Sequence, residues 1–131
     1  MSTVKTNTLT GTTSAGSIVV TGEGGSNTTN LQQGLAKIWA NVDQDSSTAI
    51  RDSLNTSGIV DNATGRHTIS FTTSMGNAEY AYGAMVTAGG CTMLYGSKAT
   101  GSIIITTRDA TGSAGEYDYD DSGVAFFGDL A

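Results

Sequence analysis

The sequence contains no proline, one cysteine and one histidine in 131 residues, and its charged side chains number only six basic and twelve acidic. A lone cysteine, Cys91, rules out an intrachain disulfide and any multi-cysteine metal site. In AGGCTMLYG it reads as a small buried hydrophobe. There is no run of about 18 apolar residues, so no membrane-spanning helix or membrane insertion is expected. The opening MSTVKTNTLTG has no apolar core of a signal peptide, and no export signal is expected from it. Clustered cations are missing too. Lys5, Lys37, Lys98, Arg51, Arg66 and Arg108 are scattered, and the net charge is -6. Phosphate binding relies on grouped Lys and Arg that release counterions, so no nucleic-acid partner is expected.

What is present is glycine, 18 residues of it, among many Thr and Ser. Thr is β-branched, suits a half-buried pleated surface and is a mediocre helix former. The composition therefore predicts an all-β protein of short strands and turns. Its length suits one core. The expected organisation is an antiparallel β-sandwich body over residues 36–131, preceded by a β-rich N-terminal arm over 1–35, with at most one short helix.

In the arm, strands are expected at Val4–Leu9 and Ser17–Thr21. A two-stranded ribbon is marginal in water, so the arm needs support from the body, from sister chains or from another protein. Leu9, Ile18 and Val20 are its candidates for contacts between subunits. The following NTTNLQQGLAKIWANVDQD mixes two periods, and is read as a helical turn over Thr29–Gln33 capped by Thr28 or Thr29. Gly34 then breaks it, and a strand runs over Ala36–Val42. Further strands are expected at Ala49–Asn55, Gly58–Asp61, Arg66–Thr72, Ala78–Ala88, Cys91–Tyr95, Ser102–Thr107 and Gly123–Gly128. Turn residues separate them at Asn62–Gly65, Gly76–Asn77, Gly89–Gly90, Gly101 and Ala110–Gly115. This spacing suits a sandwich or barrel. In the strand Arg66–Thr72, His67, Ile69 and Phe71 share one face and Arg66, Thr68 and Ser70 the other.

No chemical constellation supports an enzyme. His67 near Asp52, Ser53 and Asp61 lacks a nucleophile elbow and reads as an ordinary strand histidine. The run EYDYDDSG lacks the central Gly and closing Glu of a calcium loop. It reads instead as a strand with Glu116, Asp118 and Asp120 on an acidic solvent face and Tyr117 and Tyr119 on an aromatic one. Tyr80, Tyr82 and Tyr95 are candidates for stacking on sugar rings, with packing in a core or subunit interface an equal alternative. Gly22-Glu23-Gly24-Gly25 lacks the Lys-Ser/Thr step of a phosphate loop. No catalytic, cofactor or metal residue is assigned.

From Ala36-Lys37, Trp39 and Asn41 through Ile50-Arg51-Asp52-Ser53, Asn55, Ile59, Asp61 and Gly65 to Thr68–Thr73, Met75 and Asn77–Tyr80, the sequence resembles a module of tail-fibre and related virion proteins of marine bacteriophages, cyanophages included. The closing VAFFGD and the opening TVKTNTLTGTTSAGSIVVTGEG are similar to the same group. Gly76 stands where such modules often carry Pro. The resemblance implies a non-enzymatic structural protein of the virion, a tail-fibre or fibre-tip component that mediates host attachment. A capsid decoration or head-fibre protein without host contact is the alternative it leaves. Implied partners are two further copies in a homotrimer, other virion proteins through the arm, and a host surface polysaccharide or protein. Gly89, Gly90, Thr111 and Ser113 are the candidate host-contact positions in the loops.

Overall fold

The computed structural model describes residues 3–14, 16–86, 91–109 and 115–131, with the side chains of residues 91–95 outside the description. The chain forms two compact units, Met1–Leu35 and Ala36–Ala131. The first holds a two-stranded antiparallel ribbon, β1 (Val19–Thr21) with β2 (Thr28–Asn30). The second is all-β and carries eight strands: β3 (Ile38–Asp43), β4 (Ala49–Leu54), β5 (Thr56–Ala63), β6 (Arg66–Phe71), β7 (Ala81–Val86), β8 (Cys91–Lys98), β9 (Ser102–Asp109) and β10 (Ser122–Phe127).

These eight form two four-stranded antiparallel sheets in the orders β4-β3-β10-β7 and β5-β6-β9-β8. Strict alternation makes each inner strand one-sided. Along β3, β6 and β10, buried residues alternate with less buried ones, so Ile38, Ala40 and Val42, then His67, Ile69 and Phe71, then Ser122, Val124 and Phe126 point inward. One apolar cluster joins both sheets into a sandwich, with Ile38, Phe126, Met75 and Tyr80 meeting Ile69, Phe71, Ile103 and Ile105. The rings of Phe71, Tyr80 and Phe126 lie 5.5–6.0 Å apart, Tyr80 meeting both Phe rings edge-on.

Two turns fix how the chain passes around the core. Between β4 and β5 it must change sheets within one residue. Asn55 does so in a left-handed conformation, φ 58°. Its side chain donates to Thr73 O (3.1 Å) and accepts from Thr73 N (2.7 Å), while its own carbonyl accepts from Thr72 N. Asn tolerates this backbone because its amide can bond locally. The β5-β6 hairpin turns through Thr64 and Gly65, where φ is +68°. A Cβ at Gly65 would lie 2.6 Å from Tyr117 N and 2.7 Å from Thr107 O, so glycine is required twice over.

Three expectations need correction. No helix forms at Thr29–Gln33. Thr28–Asn30 pairs with β1, and only a single turn follows, closed by Gly34 N to Asn30 O. Asn30, not Thr28 or Thr29, caps that turn, its Oδ1 accepting from Gln32 N and Gln33 N. Val4–Leu9 is not a strand; among the described residues no strand pairs with it, and its side chains are exposed. Glu116–Asp120 is not a strand either, making one isolated bridge, Arg108 to Glu116. Its expected faces are reversed in part, since Tyr119 is buried while Tyr117 is 55% exposed. Each of its acids is drawn to a different partner, and such pulls disrupt the two-residue alternation a strand needs.

Candidate functional site

The two sheets share a core but present different outer faces. On β5-β6-β9-β8 the outward residues are mostly polar or charged, Arg66, Thr68, Ser70, Thr106 and Arg108 among them, with Val60 and Ile104 in the row of Thr68. Beside them Asn62, Arg66, Thr68, Gly96, Ile104 and Thr106 line a shallow depression of about 440 Å³.

On β4-β3-β10-β7 the registers place Leu54, Trp39, Ala125 and Gly83 in one row across all four strands. The next row is Asp52, Asn41, Gly123 and Met85. Phe127 and Ala81 open a third. The result is an apolar trough of about 570 Å³. Its floor is backbone and methyl groups, and Trp39, Met85 and Phe127 rise around it. Met85 is 78% exposed. A Cβ added to Gly83 or Gly123 would meet nothing within 4 Å, and neither residue has a positive φ. Glycine in a strand interior weakens the strand, and here neither packing nor backbone conformation demands it. What these glycines provide is a flat surface open to close approach.

In the N-terminal unit, Leu9 and Ile18 come together as part of a second apolar depression of about 250 Å³, completed by Gly16, Leu31, Gln32 and Leu35. Val20 does not line it and stands 50% exposed on β1. Leu31 and Leu35 are not among the expected partners of Leu9, since the segment that carries Leu31 reads as a helical turn and is strand and turn instead.

The remaining candidates separate clearly. Gly89, Gly90, Thr111 and Ser113 lie outside the described residues, as do the side chains of Cys91 and Tyr95. The flanking residues Cys91 and Asp109 are register partners, so the chain leaves the sheet toward both segments at the same end. Tyr80 is buried in the aromatic cluster and Tyr82 packs against it, so the pair forms no exposed sugar platform. Burial pushes the Tyr80 hydroxyl up to about 12, and it donates at 3.2–3.3 Å toward Ala99 O and Ser102 O. Trp39 lies on the open face of β4-β3-β10-β7, with Phe127 lining the same trough. Its position opposite small residues on β10 and β7 was not legible without the strand order.

His67 is fully buried, with Nε2 3.3 Å from Thr48 Oγ1, 3.7 Å from Asp61 Oδ1 and 3.8 Å from Asp118 Oδ1. Nδ1 is buried with no hydrogen-bond partner among the described residues. Asp52 and Ser53, on β4, are not among its neighbours, so the suspected triad does not assemble. Burial holds the imidazole below its ordinary value of 6.5, against the opposing pull of Asp118 and Asp61.

The acidic run is stapled acid by acid onto both sheets. Glu116 accepts from Arg66 (2.8 Å) and lies 3.6 Å from Arg108. Asp118 accepts from Gly65 N at 2.6 Å. Asp120 pairs with Arg51, which also binds Asp43 at 3.0 Å, and Asp121 accepts from Asn41 Nδ2 at 2.8 Å. The hydrogen bond that Arg51 donates to Asp120 is the main cause that holds Arg51 above its ordinary range. Between the acids, Tyr117 N donates to Thr107 O, Thr107 Oγ1 to Tyr117 O (2.6 Å), and Gln44 N to Tyr119 O (3.0 Å). Carboxylates committed in this way serve as fasteners. Among the described residues, no three of His, Cys, Asp and Glu are grouped to hold a metal ion. Compared with protein-family models, with curated proteins and with solved structures, the chain matches none.

Proposed function

We propose that the chain is a bacteriophage virion structural protein, a tail-fibre or fibre-tip component that mediates host attachment as a homotrimer. The observation that carries this reading is the apolar surface of the N-terminal unit. Val4, Leu9, Val19, Val20 and Leu35 are all half exposed or more within 35 residues. Monomeric proteins do not normally concentrate apolar residues on so small a unit, and closing around an axis covers them. The sequence resemblance supports the virion context. The body supports a presenting role: a sandwich whose open Trp39 face is left for contact.

Electron cryo-microscopy of intact particles, with this chain labelled, tests the location. Density in threefold arrangement at the tail is the expected result. Density spread over the capsid lattice would replace adhesion with capsid decoration. Gly123→Val tests the presenting face separately. A strand-favouring side chain in open space leaves folding intact, and host adsorption falls if that face makes contact.

A further inference from the structure

The acidic segment 115–121 crosses the end of the sandwich where β3, β5, β7 and β9 finish, and its middle lies over the only histidine in the sequence. We propose that this strap is a pH-released latch: it stays docked while the His67 ring is uncharged and lifts from the end of the sandwich when the ring takes up its second proton. This rests on the body alone and does not depend on the fibre reading.

The burial of the ring and its unpartnered Nδ1 favour the neutral form. Nε2 faces three oxygens, Thr48 Oγ1, Asp61 Oδ1 and Asp118 Oδ1, so it carries the proton of the neutral form. Nδ1 is then a bare acceptor, tolerated at modest cost. Charging the ring puts a proton on Nδ1, a buried N–H with no acceptor among the described residues. That imposes the full desolvation cost of a polar group. The charged groups facing the ring are Asp61 from β5 and Asp118 from the strap; β9 contributes Ile105 as its register partner, and the loop before β4 contributes Thr48. Both carboxylates favour the charged ring, but Asp118 Oδ1 is already engaged by Gly65 N, and burial outweighs the pair.

Relief comes from admitting water, and the strap is the element that can yield. It has no strand pairing beyond one bridge, and it is held instead by separate backbone bonds, Asp109 N to Gly115 O, Tyr117 N to Thr107 O, Thr107 Oγ1 to Tyr117 O, Gln44 N to Tyr119 O and Tyr119 N to Gln44 Oε1, and by the side-chain pairs of its four acids. Segments so held open at lower cost than paired strands. The neighbouring β6 is held on both sides, by β5 and by β9. Lifting the strap would uncover the Gly65 turn, Thr107 and Gln44, and would free Arg66 and Arg108 from Glu116 together.

One histidine and one tryptophan make the test unambiguous. The His67 ring proton and the Tyr117 and Tyr119 ring signals are followed by NMR from pH 8 to 5, with Trp39 fluorescence in parallel. The expected result is a His67 midpoint below 6.5, a change of both tyrosines at that same midpoint, and constant Trp39 emission. In His67→Gln the tyrosine change disappears from that window. In Asp118→Asn, which keeps the acceptor for Gly65 N and removes one favourable charge, both midpoints move down together. Tyrosine rings that stay unchanged while His67 titrates would overturn the latch. So would a tyrosine midpoint that does not follow His67 in Asp118→Asn, or a Trp39 change coincident with the tyrosines, which would mean unfolding of the whole body.

Discussion

The two units of the chain use similar residues to opposite ends. In the body, the inward apolar residues of the central strands meet the facing sheet, and Ile38, Val42, Ile69 and Phe126 are fully buried. In the N-terminal unit, β1 presents Val19, Val20 and Thr21 all exposed, and Leu9 stands 60% exposed. The strand propensities are alike; what differs is the number of layers. A two-stranded ribbon has no second sheet to cover it, whereas two four-stranded sheets cover each other. The body thus covers its own inward apolar residues, while those of β1 and Leu9 in the N-terminal unit stand exposed.

The contrast is broken most severely by emptying the body's core. Phe126→Ala removes the ring that touches both Phe71 and Tyr80, and is expected to cost about 3–5 kcal/mol. Chemical denaturation followed by Trp39 fluorescence measures it. A smaller loss follows at the corner that lets the chain change sheets. Asn55→Ala keeps a positive φ without the Thr73 bonds and is expected to cost about 1–3 kcal/mol, while Asn55→Gly, relieved of backbone strain, costs less. Equal losses in the two variants would assign the whole effect to the side-chain bonds.

The body was legible in sequence because its signal is local. Period-two alternation in Ile38–Val42 and Arg66–Phe71, and turn residues at Gly65 and Gly101, place all eight of its strands within a few residues of their observed ends. Three things were not legible, each for a physical reason. The pairing of Trp39 with Ala125 and Gly83 depends on β10 entering between β3 and β7, a contact more than 80 residues apart in sequence. The strap reads as a strand because acids and tyrosines alternate, yet its conformation is set by Arg66, Gly65, Arg51 and Asn41 on other elements. At Thr29–Gln33 the apolar spacing suits a helix, but pairing with β1 claims Thr28–Asn30 and leaves only a turn.

A third prediction exploits the buried histidine of the body. The folded pKa of His67 is depressed, so below the unfolded value near 6.5 the unfolded chain binds more protons than the folded one. The stability this group contributes is full above that value and is lost as pH falls toward the folded pKa. The melting temperature of the wild-type protein should therefore fall more between pH 7.5 and 5.5 than that of His67→Gln. Parallel declines would show that carboxylates elsewhere carry the pH response.

The smallest expected effect on the body lies in the other unit. Leu9→Asp and Ile18→Asp place charges in the depression completed by Leu31 and Leu35, and no core residue of the body is touched. The body's melting transition should shift by less than about 0.5 kcal/mol in stability, as for an exposed site away from its core. Assembly should respond instead, because a buried carboxylate with no cation beside it opposes association strongly. Sedimentation equilibrium is expected to show a trimer for the wild type and a monomer for either variant. Unchanged mass in both, with the wild type already a monomer, would mean that the exposed leucines of the N-terminal unit serve a partner other than the chain itself.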